Sequence, residues 1–355
     1  MSHIRNRGEL LRKFVLDNVD SHPNDISKVT SEKFGISRQA VYKHLKKLTL
    51  EKALTEAGST RGKIYRLASL VEWVKRYPLL PGLAEDIVWK NDVRAALGSL
   101  PDNVSSIWHY AFTEMFNNAV DHSGAAVISV HLKRTAVNTE ILISDDGVGI
   151  FKKIQAALGL LDERHALLEL SKGKLTTDPS NHSGEGIFFT SRMVDSFDIL
   201  SGGVFFLHKF GKPDDWLLEV DKSANGTFVW MKLSNHTART MRKIYDNYAA
   251  GEEFGFNKTV VPVNLARYAN DQLISRSQAK RLLARVELFK FVVFDFKEVP
   301  NIGQAFADEI FRVFSKQHPD IRLTSINTNV EVSKMIERAK AGLIGACAPG
   351  TPASE

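Results

Sequence analysis

Apolar positions recur at helical spacing through the first part of the chain. Leu10, Leu11, Phe14 and Val15 share one face over residues 8–18; Ile26, Val29 and Phe34 share a second, and Ala40, Val41, His44, Leu45 and Leu48 a third. The break at His22-Pro23-Asn24 predicts Asn24 as cap of the second helix, Gly35 as its stop and Ser37 as cap of the third. Leu54–Leu67 reads as two short strands about a Gly/Ser turn. Over residues 71–106, Pro78, Pro81 and Pro101 preclude one long helix. Helical spacing returns at Phe112, Phe116 and Ala119, with Met115 beside them, and an apolar strand follows at Ile141–Ser144. Ile154, Ala157, Leu158 and Leu161, then Ala166, Leu167 and Leu170, predict helical pieces; an apolar helix opens near Gly186, and a strand runs through Asn225–Leu233. A charged helix at Thr240–Tyr248 leads to a boundary at Gly251–Gly255. From there strand and helix alternate: strands at Thr259–Leu265, Lys290–Phe296 and Ile321–Ile326, helices at Ile274–Leu283, Gly303–Phe314 and Val330–Ala339.

This pattern predicts an α/β multidomain chain. Its units are residues 1–70, 107–235 and 257–340, with linkers at 71–106 (leading into the middle domain) and 236–256, and a disordered tail at 341–355. The length, 355 residues, suffices for two or three cores, and 43% hydrophobic with 25% charged residues is ordinary for a soluble protein. One cysteine, Cys347, excludes an intramolecular disulfide and suits a reducing compartment. No apolar run approaches the roughly 20 residues that span a bilayer, and the N-terminus lacks a signal-peptide core. The expectation is a cytoplasmic protein with no membrane partner. Charge changes this picture. Residues 1–70 hold 14 Lys and Arg against 7 Asp and Glu, so the whole excess behind the net +6 sits there, and an acidic partner is expected for that part alone.

The candidate chemistry lies in the middle unit. Glu114 and Asn118, four apart, share a helix face. Asp145 ends an apolar strand, and a carboxylate accepts from an exocyclic amine; Gly147 and Gly149 follow it and let backbone approach a ligand closely. Gly184 and Gly186 open a helix whose amides suit phosphate. Taken singly, a Glu/Asn pair is most often a solvated face and Asp-Asp-Gly most often a turn. In this order and spacing they resemble the GHKL ATPases, the class that takes in gyrase, Hsp90, histidine kinases and MutL, over residues 85–233. The resemblance implies a two-layer α/β Bergerat-type domain binding ATP with Mg²⁺. Glu114 then corresponds to the base that orients water or an acceptor hydroxyl, Asn118 to the Mg²⁺ ligand, and Asp145 to the carboxylate that reads the adenine amine. Gly147 and Gly149 correspond to the first glycine box, Gly184 and Gly186 to the second beside the phosphates, and Thr227 to the threonine near adenine. Lys172–His182 corresponds to the ATP lid, with Lys172 and Lys174 as candidates to reach the γ-phosphate or as plain solvated lysines. Glu185, between the glycines of the second box, departs from the pattern. Residues 71–106 contain no histidine, which argues against a standard histidine kinase.

Three helices and a hairpin, the third helix basic, resemble a winged helix-turn-helix that binds duplex DNA. Arg38, Gln39, Tyr42, Lys43 and Lys46 would face a major groove, with Arg61 and Lys63 on the wing near phosphate or the minor groove; winged helices also serve as protein-docking modules. The C-terminal alternation resembles the STAS fold of anti-sigma antagonists, specifically the STAS-like domain found behind such ATPases. Asn301-Ile-Gly-Gln304 stands where phosphorylated members carry a hydroxyl, and Asp295 and His318 read as strand-end and loop residues. The functional expectation is an ATP-binding, DNA-binding regulator with the STAS-like domain for docking, a protein partner or a homodimer forming through it or the ATPase domain. The alternatives are a protein serine/threonine kinase of the anti-sigma type and a module that binds nucleotide without turnover.

Overall fold

The computed structural model describes residues 2–59, 62–176, 183–211, 216–249, 255–267 and 272–344, and these form a mixed α/β chain. Helices α1 (Ser2–Asn18), α2 (Ile26–Phe34) and α3 (Arg38–Leu50) pack with an antiparallel hairpin, β1 (Leu54–Ala57) and β2 (Ile64–Leu67), around Val15, Val41, Leu45 and Leu54. Gly35 takes the left-handed conformation that ends α2, and Ser37 Oγ accepts the Ala40 N–H at 3.2 Å, as the pattern predicts. The cap of α2 is Asp25, not Asn24; its carboxylate is held by His22 Nδ1 at 3.1 Å and makes no side-chain bond to the helix amides.

The middle unit is one antiparallel sheet of β3 (Val71–Pro78), β4 (Val127–Arg134), β5 (Asn138–Asp145), β6 (Ser196–Lys209) and β7 (Trp216–Ser234), in the order β3-β4-β5-β7-β6. Strand β3 lies inside the stretch expected as linker, yet it pairs with β4 along its whole length, from Val71 opposite Arg134 to Pro78 opposite Val127. The same stretch forms α4 (Glu85–Val88), a π-helical turn at Trp89–Val93 and α5 (Arg94–Leu97). Then come α6 (Asp102–His122), α7 (Ile150–Leu158), α8 (Glu163–Lys172), α9 (Gly186–Met193) and, within the second expected linker, α10 (Met241–Tyr248). Alternate strand residues turn one face of the sheet inward, with Val130, Ile141, Phe197 and Met231 fully buried. The helices cover that face. Phe112, Met115, Phe116 and Ala119 of α6 are all buried, as their spacing predicts.

The C-terminal unit is a parallel sheet in the order β10-β9-β8, formed by β8 (Lys258–Pro262), β9 (Phe291–Asp295) and β10 (Arg322–Ile326). Its helices are α11 (Arg276–Leu283), α12 (Gln304–Asp308), which runs through a π-helical segment into α13 (Ser315–Gln317), and α14 (Val330–Ile344). Two boundaries differ from the pattern. The strand expected to reach Leu265 stops at Pro262, which has no N–H for the ladder, and Val263–Ala266 turns as a 3₁₀ helix. Helix α14 reaches Ile344, into the stretch expected as a tail; residues 345–355 lie outside the described residues.

The middle and C-terminal units share one continuous core. Phe256 joins them: its ring centroid lies 4.5 Å from Phe188 and 4.9 Å from Phe189 on one side, and 5.2 Å from Phe289 on the other. Such aromatic pairs contribute about 0.5–1.5 kcal/mol each beyond area burial.

Candidate functional site

Helix α6 buries one face and leaves Glu114 and Asn118 half-buried, one turn apart. Both line a cavity of about 330 Å³ that Asp145 of β5, Thr227 of β7, Gly184 and Gly186 also line. Residues separated by more than a hundred positions in sequence therefore meet at one hollow, and its remaining walls are largely apolar, with Ile143, Ile154, Leu170 and Val229.

Asp145 is the best-defined group. It is 8% exposed, and its Oδ1 accepts the Gly147 N–H at 2.9 Å and the Thr227 N–H at 3.3 Å. A carboxylate has about four lone-pair sites, so acceptor capacity remains for a ligand's donor. Burial pushes its pKa up, and the two backbone donors oppose that rise. Thr227 Oγ1 in turn accepts the Ile150 N–H at 3.0 Å, tying the last strand to the start of α7.

The glycines serve the walls in different ways. Gly147 and Gly149 stand behind the cavity. A Cβ at Gly149, where φ is +88°, would lie 2.6 Å from Ser201 Oγ, and one at Gly147 would run into the Ser123 carbonyl. Close approach there is to the protein itself, where the sequence suggests a ligand. Gly186 opens α9 against Glu114, whose carboxylate would collide with any side chain at that position. The N-terminal amides of α9 and the Glu114 carboxylate thus share one end of the cavity.

Other groups join the site without a motif to announce them. Lys153 of α7 lines the cavity and donates from Nζ to the His122 carbonyl at 2.7 Å; its place on an amphipathic helix after the glycines is the one hint of this in the sequence. The Tyr110 and Tyr245 rings meet edge to face at 6.3 Å near Glu114, and burial first, then the Glu114 charge, push proton loss from Tyr110 far up. Glu185 is not in the cavity wall; burial raises its pKa and the nearby Lys174 lowers it. Neither Lys172 nor Lys174 reaches the cavity. Lys172 is fully buried, its Nζ 2.7 Å from both Glu169 Oε1 and the Ala284 carbonyl, and Lys174 donates to the Leu288 carbonyl at 3.0 Å. Both point into the C-terminal unit, which supplies acceptors that a solvated loop would lack. Residues 177–182, the rest of the expected lid, lie outside the described residues.

On the N-terminal unit, Arg38, Gln39, Tyr42, Lys43 and Lys46 lie on the exposed side of α3 while Val41, Leu45 and Leu48 are buried. Lys63 differs: it pairs with Glu56 at 2.8 Å and sits 5.3 Å from the Tyr42 ring centroid, so its charge is already partly neutralised. Arg61 lies outside the described residues. Among the described residues, no group of three His, Cys, Asp or Glu side chains is placed to hold a metal ion, and no helix is long and apolar enough to cross a membrane.

A family model described as a STAS-like domain of unknown function (DUF4325) matches residues 278–333. The C-terminal unit therefore carries a STAS-like domain, the assignment that the alternation of strand and helix suggests. No curated protein matches the chain.

Proposed function

We propose that this chain is a regulator that binds Mg-ATP in the middle-unit cavity and duplex DNA through the exposed face of α3, with the STAS-like domain for docking. The observation that carries the nucleotide reading is the set of bonds at Asp145. A buried carboxylate, fixed on Oδ1 by two backbone donors and open to a further one, lies in the same hollow as Asn118, Glu114 and the α9 N-terminus. That layout suits an adenine amine at one end and a phosphate chain at the other. Lys153, the one Lys or Arg lining the cavity among the described residues, commits one of its three ammonium donors to a backbone carbonyl. A single lysine does not balance the charge of a polyphosphate, and a divalent cation would supply the rest. Asn118 offers an amide oxygen for it, and Mg²⁺ takes one or two protein ligands and completes its shell with phosphate and water. Glu114, at that end, would orient the nucleophile. The resemblance to GHKL ATPases supports the same assignment.

The DNA reading draws on the positive excess of residues 1–70 and on five exposed polar or basic side chains along one helix. Titration with ATP and ADP, with and without Mg²⁺, tests the first half; absence of binding in all four conditions refutes it. Incubation with γ-labelled ATP, alone and with cell extract, then separates hydrolysis, protein phosphorylation and binding without turnover.

A further inference from the structure

One wall of the cavity belongs to the middle unit but is braced from behind by the C-terminal unit. Leu170, Leu175 and Thr176 line it, and the residues between them are held from outside by the STAS-like domain. Lys172 Nζ donates to the carbonyls of Ala284 (2.7 Å) and Arg281 (3.4 Å) at the C-terminal end of α11, where a cation meets the negative pole of the helix. Its own helix supplies Glu169, 3% exposed, whose second oxygen takes Arg285 Nη1 at 3.2 Å. Arg285 also donates to the Lys174 carbonyl. The Lys174 ammonium lies 4.9 Å from the Phe289 ring centroid, and Thr259 Oγ1 donates to the Lys172 carbonyl at 2.7 Å. Arg285 and Lys174 both take positive φ, 60° and 53°, a conformation that persists in such residues when the surroundings over-determine it.

The geometry points to the STAS-like domain as a positioning element of the nucleotide cavity: through Arg281, Ala284, Arg285 and Leu288 it sets the Leu170–Thr176 wall, and nucleotide affinity depends on that hold. Arg285, Glu169 and Lys172 act here as positioning residues, not as ligands. The inference rests on the nucleotide reading of the cavity and adds to it a dependence on a second domain. A purely architectural interface would hold the two units together and stay indifferent to what occupies the hollow. A wall fixed at both Lys172 and Lys174 cannot shift to meet a nucleotide without passing the displacement to α11.

The test uses the full chain. ADP and Mg-ATP are titrated into wild type and Arg285→Ala, and amide hydrogen exchange of residues 276–289 is followed with and without saturating nucleotide. Arg285→Ala keeps the Lys172–Glu169 contact at 2.7 Å and removes only the partner of Glu169 Oε2 and of the Lys174 carbonyl. The expected result is an affinity loss of about tenfold, inside the 5–150-fold range usual for coupled sites. Slower exchange of 276–289 on nucleotide binding is expected in wild type and not in the variant. Wild-type affinity in Arg285→Ala, with exchange in 276–289 blind to nucleotide, overturns the proposal. Should Arg285→Ala not fold, Arg285→Lys decides the same point, since it keeps the charge and loses the two-pronged reach. If wild type itself binds neither nucleotide, the reading of the cavity fails first, and this proposal with it.

Discussion

Replacing Asp145 by Asn probes the cavity most sharply, because the structure separates what the substitution keeps from what it loses. The Asn carbonyl oxygen can stay where Oδ1 is and go on accepting from Gly147 and Thr227 at 2.9 and 3.3 Å. The amide nitrogen then takes the place of Oδ2 and presents a donor to the ligand. The free protein loses a buried charge, not a buried bond, so its stability does not fall for this reason. An adenine amine, itself a donor, loses a hydrogen bond to a charged acceptor, worth about 1.5–3 kcal/mol. At 1.4 kcal/mol per decade this is about a 10- to 150-fold weaker ATP complex. Inosine triphosphate carries an acceptor where ATP carries the amine, so Asp145→Asn should bind it better than wild type does. Calorimetric titration of both nucleotides into both proteins reads the swap. There is a pH counterpart. Burial raises the Asp145 pKa, so acidification neutralises it sooner than an ordinary carboxylate and wild-type ATP affinity falls on that limb. The variant lacks the limb. Equal losses for both nucleotides, or none, would refute the assignment of Asp145.

Glu114→Gln should leave nucleotide affinity within about threefold while lowering any turnover by about 10²–10⁴-fold, the usual share of a general base, as followed by phosphate release. Asp198, 4% exposed on β6 and bonded to Ser196 Oγ at 3.2 Å, has its pKa raised by burial from 3.8 to about 6. A raised carboxyl pKa contributes stability below about pH 4 that is lost as pH rises through about 6, a difference of up to about 3 kcal/mol. Asp198→Asn should accordingly be more stable than wild type at pH 8 in urea titration, and the gain should vanish near pH 4. In the intact chain, Arg38→Ala and Lys43→Ala should each weaken duplex binding and flatten its salt dependence by about one unit of slope, read by fluorescence anisotropy across salt concentrations.

The residues around Asp145 are legible in the sequence because their chemistry is local: a strand end, two glycines and a helix opening each leave a mark on adjacent positions. Thr227 joins Asp145 from across the sheet, and only the order of the motifs suggests that. Lys172 is opaque for the opposite reason. In sequence it precedes a polar loop, and its burial depends on carbonyls more than a hundred residues away at Arg281 and Ala284. Strand β3 is hidden by its neighbours. Val71, Trp73 and Tyr77 alternate as a half-buried strand does, but the prolines beside them speak only to what the stretch cannot form. Lys153 carries no mark beyond a helical position.

The join between the first two units is very short. Ala68 gives its N–H to Ala53 within the N-terminal unit at 3.0 Å, and Leu70 gives its own to Arg134 of the five-stranded sheet at 2.7 Å. Ser69 alone lies between them, and its hydroxyl is bonded to Glu72 at 2.7 Å. Between the two anchored amides lie four soft torsions, two at Ala68 and two at Ser69. The helix face carrying Arg38 and Lys43 is thus mounted like a door on a hinge pin, not like a bead on a string. Only Ala68, Ser69 and Leu70 separate the end of β2 from β3, the edge strand of the sheet that holds Asp145.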